Sequence, residues 1–134
     1  DMKRVTKPGG WIVVLDMDWG SVSVDTKELD IERRLRSFIA EHALQNGYAG
    51  RQLYRLFRQQ DLVDITLEIF PIHSTDYALV RYLGRLDEVE SKALAAGLIT
   101  ESELQRWRAE LEQMQRADCL FFSINLIVAV GRKA

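Results

Sequence analysis

Two carboxylates, Asp16 and Asp18, follow the apolar run Trp11-Ile12-Val13-Val14-Leu15 and immediately precede Trp19. A carboxylate or histidine within reach of an acidic proton serves as a general base, so Asp16, Asp18 and His73 are the candidates for proton removal. Each also has a plainer reading. The two aspartates fit a turn, where a short carboxylate bonds nearby amides. His73, two residues after Pro71, fits a loop. Arg51 would hold an anionic group, or join Arg55 and Arg58 on a solvated helical face. Trp19, Tyr77 and Phe122 offer aromatic walls for a small molecule, or contacts within a core. His42 falls on the apolar stripe of a helix and reads as a core or interface residue. Two histidines without ligand spacing argue against a zinc site. The lone Cys119, heading an apolar strand, reads as a packing residue, with a reactive thiol as the alternative.

The elements that must position these groups follow from punctuation and periodicity. Pro8-Gly9-Gly10 is a turn, and the unalternating run Trp11 to Leu15 predicts a strand covered on both faces. Asp16 then closes that strand, and Asp16 to Ser21 is a loop turning at Gly20. Ile31, Leu35, Phe38 and His42 recur at helical spacing, predicting a helix from Thr26 or Lys27 to about Gln45, ended by Asn46-Gly47. A second helix, Gly50 to Gln60, buries Leu53, Leu56 and Phe57. Val63 to Phe70 alternates apolar and polar, which predicts a strand with one wet face at the sheet's edge; Pro71 ends it. Residues 74–117 read as a helical hairpin. Ser74 or Thr75 caps its first arm, Gly84 offers a break, and Thr100-Glu101-Ser102-Glu103 forms a capping box for its second. The last strand, Cys119 to Val130, is apolar throughout its second half and predicted to be buried on both faces there. With that strand antiparallel, three groups converge at one sheet edge: Asp16, Asp18 and Trp19; His73 and Tyr77; and Cys119 to Phe122.

Composition excludes several classes. A length of 134 residues with 47% hydrophobic content supports one domain with a core. A net charge of -2 leaves no basic footprint for nucleic acid or an anionic membrane. The longest apolar run, Ile124 to Val130 apart from Asn125, is too short to span a bilayer. Asp1-Met2-Lys3-Arg4 lacks a signal-peptide pattern, and a single cysteine fits a reducing compartment, so a cytoplasmic chain is expected.

The stretch Met2-Lys3-Arg4-Val5-Thr6-Lys7-Pro8-Gly9-Gly10, leading into an apolar strand, resembles the helix-turn-strand that opens the last part of a class I S-adenosylmethionine (SAM) dependent methyltransferase. The usual pattern there is hydrophobic-Lys-Pro-Gly-Gly, with Leu often standing where this chain has Thr6. The nearest group is the ubiquinone/menaquinone-type, small-molecule branch, and the resemblance runs from Met2 through the final strand. It implies an α/β fold built on a partial Rossmann-like sheet of three strands. Their local order would be first, third, second, with the last strand antiparallel. Residues 74–117 would be an insertion covering the acceptor pocket. Trp19, Arg51, Tyr77 and Phe122 would then lie on the substrate side, with Asp16, Asp18 or His73 as base. No Gly-x-Gly-x-Gly loop and no acid closing a second strand occur, and in this family those elements bind SAM. The resemblance therefore implies the carboxyl-terminal half of such an enzyme, truncated ahead of residues 1–6, which read as the tail of a helix. SAM would be bound by the intact parent and not by this chain, which would be inactive alone.

Two other readings stand beside this one: a non-catalytic, self-associating α/β module, and a binder of an apolar ligand. An interior strand with one free side exposes unpaired amides, so a dimer or larger homo-oligomer through Trp11 to Leu15 is expected.

Overall fold

The computed structural model describes residues 1–134. It contains six α-helices and three strands: α1 (Met2–Val5), β1 (Trp11–Val24), α2 (Leu29–Phe38), α3 (Ala49–Gln59), β2 (Val63–Ser74), α4 (Tyr77–Leu83), α5 (Leu86–Ala95), α6 (Glu101–Arg116) and β3 (Phe122–Arg132). The strands form one open sheet in the order β1-β3-β2, with β3 antiparallel to both neighbours. That order and direction are the ones the resemblance implies, and the order also agrees with β3 being the most apolar strand. The tail closes the ladder, where the Gly9 amide donates to the Lys133 carbonyl at 2.7 Å. Lys133 Nζ also donates to the Lys3 and Thr6 carbonyls at the carboxyl end of α1, where a cation suits the orphan carbonyls.

β3 runs without interruption and its residues alternate between faces. Ile127, Ala129 and Gly131 point to α3, where they meet Ile12, Leu53, Phe57 and Leu62. Phe122 and Ile124 point the other way, into a larger core built from α2, α4, α5 and α6 around Val80, Leu86, Trp107 and Leu111. Helices therefore cover opposite faces at opposite ends of the sheet. The consequence corrects the expectation of two-sided burial. Trp11, Val13 and Leu15 are 58%, 52% and 58% exposed, and across from them Leu126, Val128 and Val130 are only half-buried. An apolar code for two covered faces is present, but within these residues only the α3 side is covered.

Several boundaries differ for physical reasons. β1 does not stop at Asp16; it continues through a bulge between Asp18 and Ser23 to Val24, so the expected loop is strand. β2 passes through Pro71 to Ser74, which an edge strand tolerates because one of its sides needs no donors. The first long helix starts at Leu29 and gives way to a π-helical turn, Ile39–Ala43. The wider winding turns His42 away from the stripe, leaving it exposed beside the Phe38 ring. β3 begins at Phe122, and Cys119 is exposed in the turn before it.

The helical region divides into three. Asp76, rather than Ser74 or Thr75, caps α4 by accepting the Leu79 amide at 2.9 Å. The break after α4 falls at Gly84-Arg85, with Arg85 at φ 50. A Cβ on Gly84 would lie 3.1 Å from the Phe122 ring, so the absence of a side chain lets the break sit tightly on β3. The capping box forms at α6 as the sequence indicates: Thr100 Oγ1 accepts the Glu103 amide, and the Glu103 carboxylate accepts the Thr100 amide.

Candidate functional site

Asp18 is the most constrained candidate. It lies on the α3 face of β1, buried, and accepts a hydrogen bond from Arg51 Nε at 2.9 Å. The contact exists because α3 starts directly against β1. A Cβ on Gly50 would come within 2.8 Å of the Met17 carbonyl carbon, so only glycine lets the helix approach closely enough for the next residue to reach Asp18. Arg51 also stacks over Tyr48, its Cζ 4.7 Å from the ring centre. The hydrogen bond to Asp18 raises the guanidinium's pKa. Burial and the hydrogen bond to Glu41 raise that of the Tyr48 phenol. Asp18 and Arg51 thus satisfy each other, and their first role is to fix α3 on the sheet.

Asp16 has a different setting. Its Oδ1 accepts the Met17 amide at 2.8 Å, while its other oxygen has no donor from the protein. It borders an open cleft of about 470 Å³ between α1, β1 and α3, walled by Ile12, Val14, Leu53 and Phe57 with Lys3 at the rim. An apolar cleft with few polar groups is the common form of a small-molecule site. Of the sequence candidates, Asp16 alone lines it.

The remaining candidates are dispersed. His73 pairs with Ser123 on β3, exposed, two residues beyond the Asp18-Asn125-Pro71 row and on the far strand. Two strand spacings separate it from Asp18 by about 10 Å, beyond hydrogen-bond reach. Tyr77 is held in the helical region, its amide donating to Gln115 Oε1 at 2.6 Å and its hydroxyl receiving Arg81 Nη1 at 3.4 Å. Trp19 packs partly against the larger core, with Arg85 5.9 Å from its ring centre. Phe122 is fully buried in that core and does packing work there. Asp16, Asp18 and Arg51 are gathered on one side of the sheet; His73, Tyr77, Trp19 and Phe122 are not gathered with them.

Two acidic side chains escaped the sequence reading. Glu90, fully buried on α5, accepts from Trp107 Nε1 at 2.9 Å, Arg108 Nε at 2.9 Å and Arg81 Nη2 at 2.7 Å. Burial works against the Arg81 charge, but the bonds to Glu90 and Asp87 prevail and raise its pKa. The signal was present: Leu86, Glu90 and Ala93 follow helical spacing on the buried side. Glu32, on α2, lines a small void of about 20 Å³ with Val22, Leu35, Arg36 and Trp107. That is room for about one water. Its Oε1 is buried without a hydrogen-bond partner, and burial raises its pKa against the lowering pull of Arg36 and Arg33. No three His, Cys, Asp or Glu side chains gather as a metal site. No helix is long and apolar enough to cross a membrane.

No protein-family model matches the chain. Over 133 residues, 98% of its length, it is 29% identical to an uncharacterized 37.1 kDa protein in transposon TN4556 of Streptomyces fradiae. The chain spans 37% of that relative's length.

Proposed function

We propose that this chain forms the acceptor-side, carboxyl-terminal part of a class I SAM-dependent methyltransferase fold acting on a small molecule. The observation that carries the reading is the strand order: β3 runs antiparallel between β1 and β2, and β1 follows a Lys-Pro-Gly-Gly turn. This order agrees with the closing pattern that the sequence resemblance implies, and supports the reading. The length of the transposon relative leaves room in that protein for a donor-binding portion.

The residues of this chain do not fit SAM. The turns leaving β1 and β2 carry no glycine cradle, and no acidic residue closes a second strand. The chain's own contribution is therefore to the acceptor. The cleft beside Asp16 removes apolar surface from water, and the free Asp16 oxygen is placed to take a proton from a group bound there. Its lone thiol, Cys119, fits a reducing, cytoplasmic setting.

Isothermal titration with S-adenosylhomocysteine tests the assignment on two proteins. The 37.1 kDa relative is expected to bind and the 134-residue chain to give no heat. Absence of binding by the relative overturns the family assignment; binding by the chain alone overturns the division of labour. The exposed apolar face of β1 favours a second reading, a self-associating module without catalysis, and a retained apolar molecule in the Asp16 cleft would favour a ligand binder instead.

A further inference from the structure

We propose that the small void between α2 and the break at Gly84-Arg85 is a binding site for one water, held by Glu32, Arg36 and the Gly84 carbonyl. The inference stands apart from methyl transfer, because it rests on three polar groups of this chain that line one space and lack partners.

The void of about 20 Å³ has room for a single water. Its walls are mostly apolar. Val22 comes from β1, Leu35 from α2, Ile39 from the π-helical turn, and Leu86, Val89 and Trp107 from the helical region. A purely apolar space of this size takes up no water; one with two to four polar groups does.

Three polar groups are present. Glu32 lines the void from α2 with a side chain only 8% exposed, and its Oε1 receives no hydrogen bond. Arg36, one turn along, holds Nη1 3.4 Å from that oxygen. This is a charge contact without hydrogen-bond geometry, since Glu32 Oε1 remains without a hydrogen-bond partner. Gly84 lines the void from the helical region and is buried. It follows α4 and precedes the left-handed Arg85, so the chain changes direction there. The Val89 amide donates to Arg85, and no group of the chain donates to the Gly84 carbonyl.

Charge and size choose the occupant. Glu32 and Gly84 offer acceptors and Arg36 a donor, so the bound species must give two hydrogen bonds and take one. A water does this with the three bonds or so usual for a buried one. An ammonium ion would meet the Arg36 charge, and an anion would meet Glu32. An apolar atom would leave the acceptors unmet. Through the water, α2 and the α4–α5 break are joined by hydrogen bonds across a seam otherwise closed by apolar contact.

High-resolution crystallography of the chain is expected to place one ordered water within about 3.2 Å of Glu32 Oε1, the Gly84 carbonyl and the Arg36 guanidinium. No water there, or Arg36 closed onto Glu32 in its place, overturns the proposal. Val89→Ile adds one carbon to the wall of the void and is expected to expel the water. Crystals of that variant should lack it, and the melting temperature should fall by about 3 °C with an unchanged circular dichroism spectrum, because both acceptors are left unmet. A melting temperature that holds or rises overturns the proposal, since filling a space that holds no water stabilises a core.

Discussion

Ile124 and Ile127 stand three positions apart on one strand and are buried in two different cores, on opposite faces of the sheet. β3 is straight through this interval, so odd and even residues keep to their faces. The helical region α4–α6 claims Ile124, and α3 claims Ile127. Behind the part that α3 covers, on the face that α4–α6 cover only at the other end, lies the bare patch formed by Trp11, Val13 and Leu15 with Leu126, Val128 and Val130. The candidate cleft lies at this same end of the sheet, on the opposite, α3-covered face.

Glu90 ties α4, α5 and α6 together through three partners. Removing its carboxylate leaves Arg81 largely buried and Trp107 Nε1 buried without an acceptor. Glu90→Ala is expected to lower unfolding free energy in urea by about 3–5 kcal/mol, the range for breaking a buried charged group. Glu90→Gln, which keeps an acceptor for Trp107, is expected to lose less. An alanine variant as stable as the parent would show that the helices hold together by apolar contact alone.

Glu103 and Glu32 respond to pH with opposite signs. The Arg34 hydrogen bond, aided by the Thr100 amide, holds Glu103 down at about 2 against an ordinary 4.5. Its contribution is present in full above pH 4.5 and is lost as pH falls toward that lower value. Glu32 is shifted up by burial, so its ionised form is disfavoured in the fold and stability declines as pH rises through the raised pKa. Glu103→Gln is expected to flatten the acid limb of a thermal melting series. Glu32→Met is expected to stabilise by about 1 kcal/mol at neutral pH, because burial of the charge outweighs its 3.4 Å ion pair with Arg36, with a smaller gain near pH 4.

Much of this architecture was legible in the patterning. β3 is the most apolar strand and is central; Val63 to Phe70 alternates and is a border strand, but Leu67 and Ile69 on its apolar side are exposed as well, because α3 covers β1 and β3 and not β2 there. The Thr100–Glu103 box announced α6 through its own hydrogen bonding. What could not be read locally depended on partners distant in sequence. Trp11 to Leu15 looks doubly covered because the sequence encodes a preference, whereas exposure is set by what lies opposite. Asp18 was readable as a turn carboxylate just past a strand, but its place within β1 and its bond to Arg51 depend on Gly50 bringing α3 against the strand. Glu90 was passed over because a charge on a buried stripe is explained only by the three donors that meet it.

Gly50 is therefore a sensitive position for the site. A methyl group there would meet the backbone of Asp16, Met17 and Asp18, which cannot move aside as a side chain tip can. Gly50→Ala is expected to push α3 outward, destabilise by about 1–3 kcal/mol through overpacking, and weaken the Arg51–Asp18 contact. A melting curve together with Asp18→Asn in the same background checks this: once the contact is weakened, Asp18→Asn should have a smaller effect than in the parent.

The central claim is that this chain supplies the acceptor side of the fold while the methyl donor is held elsewhere in the longer protein. Isothermal titration with S-adenosylhomocysteine, run on the 37.1 kDa relative and on this chain, tests it most directly. Heat of binding from the relative and none from the chain is the result expected. No heat from the relative, or heat from the chain alone, would contradict it.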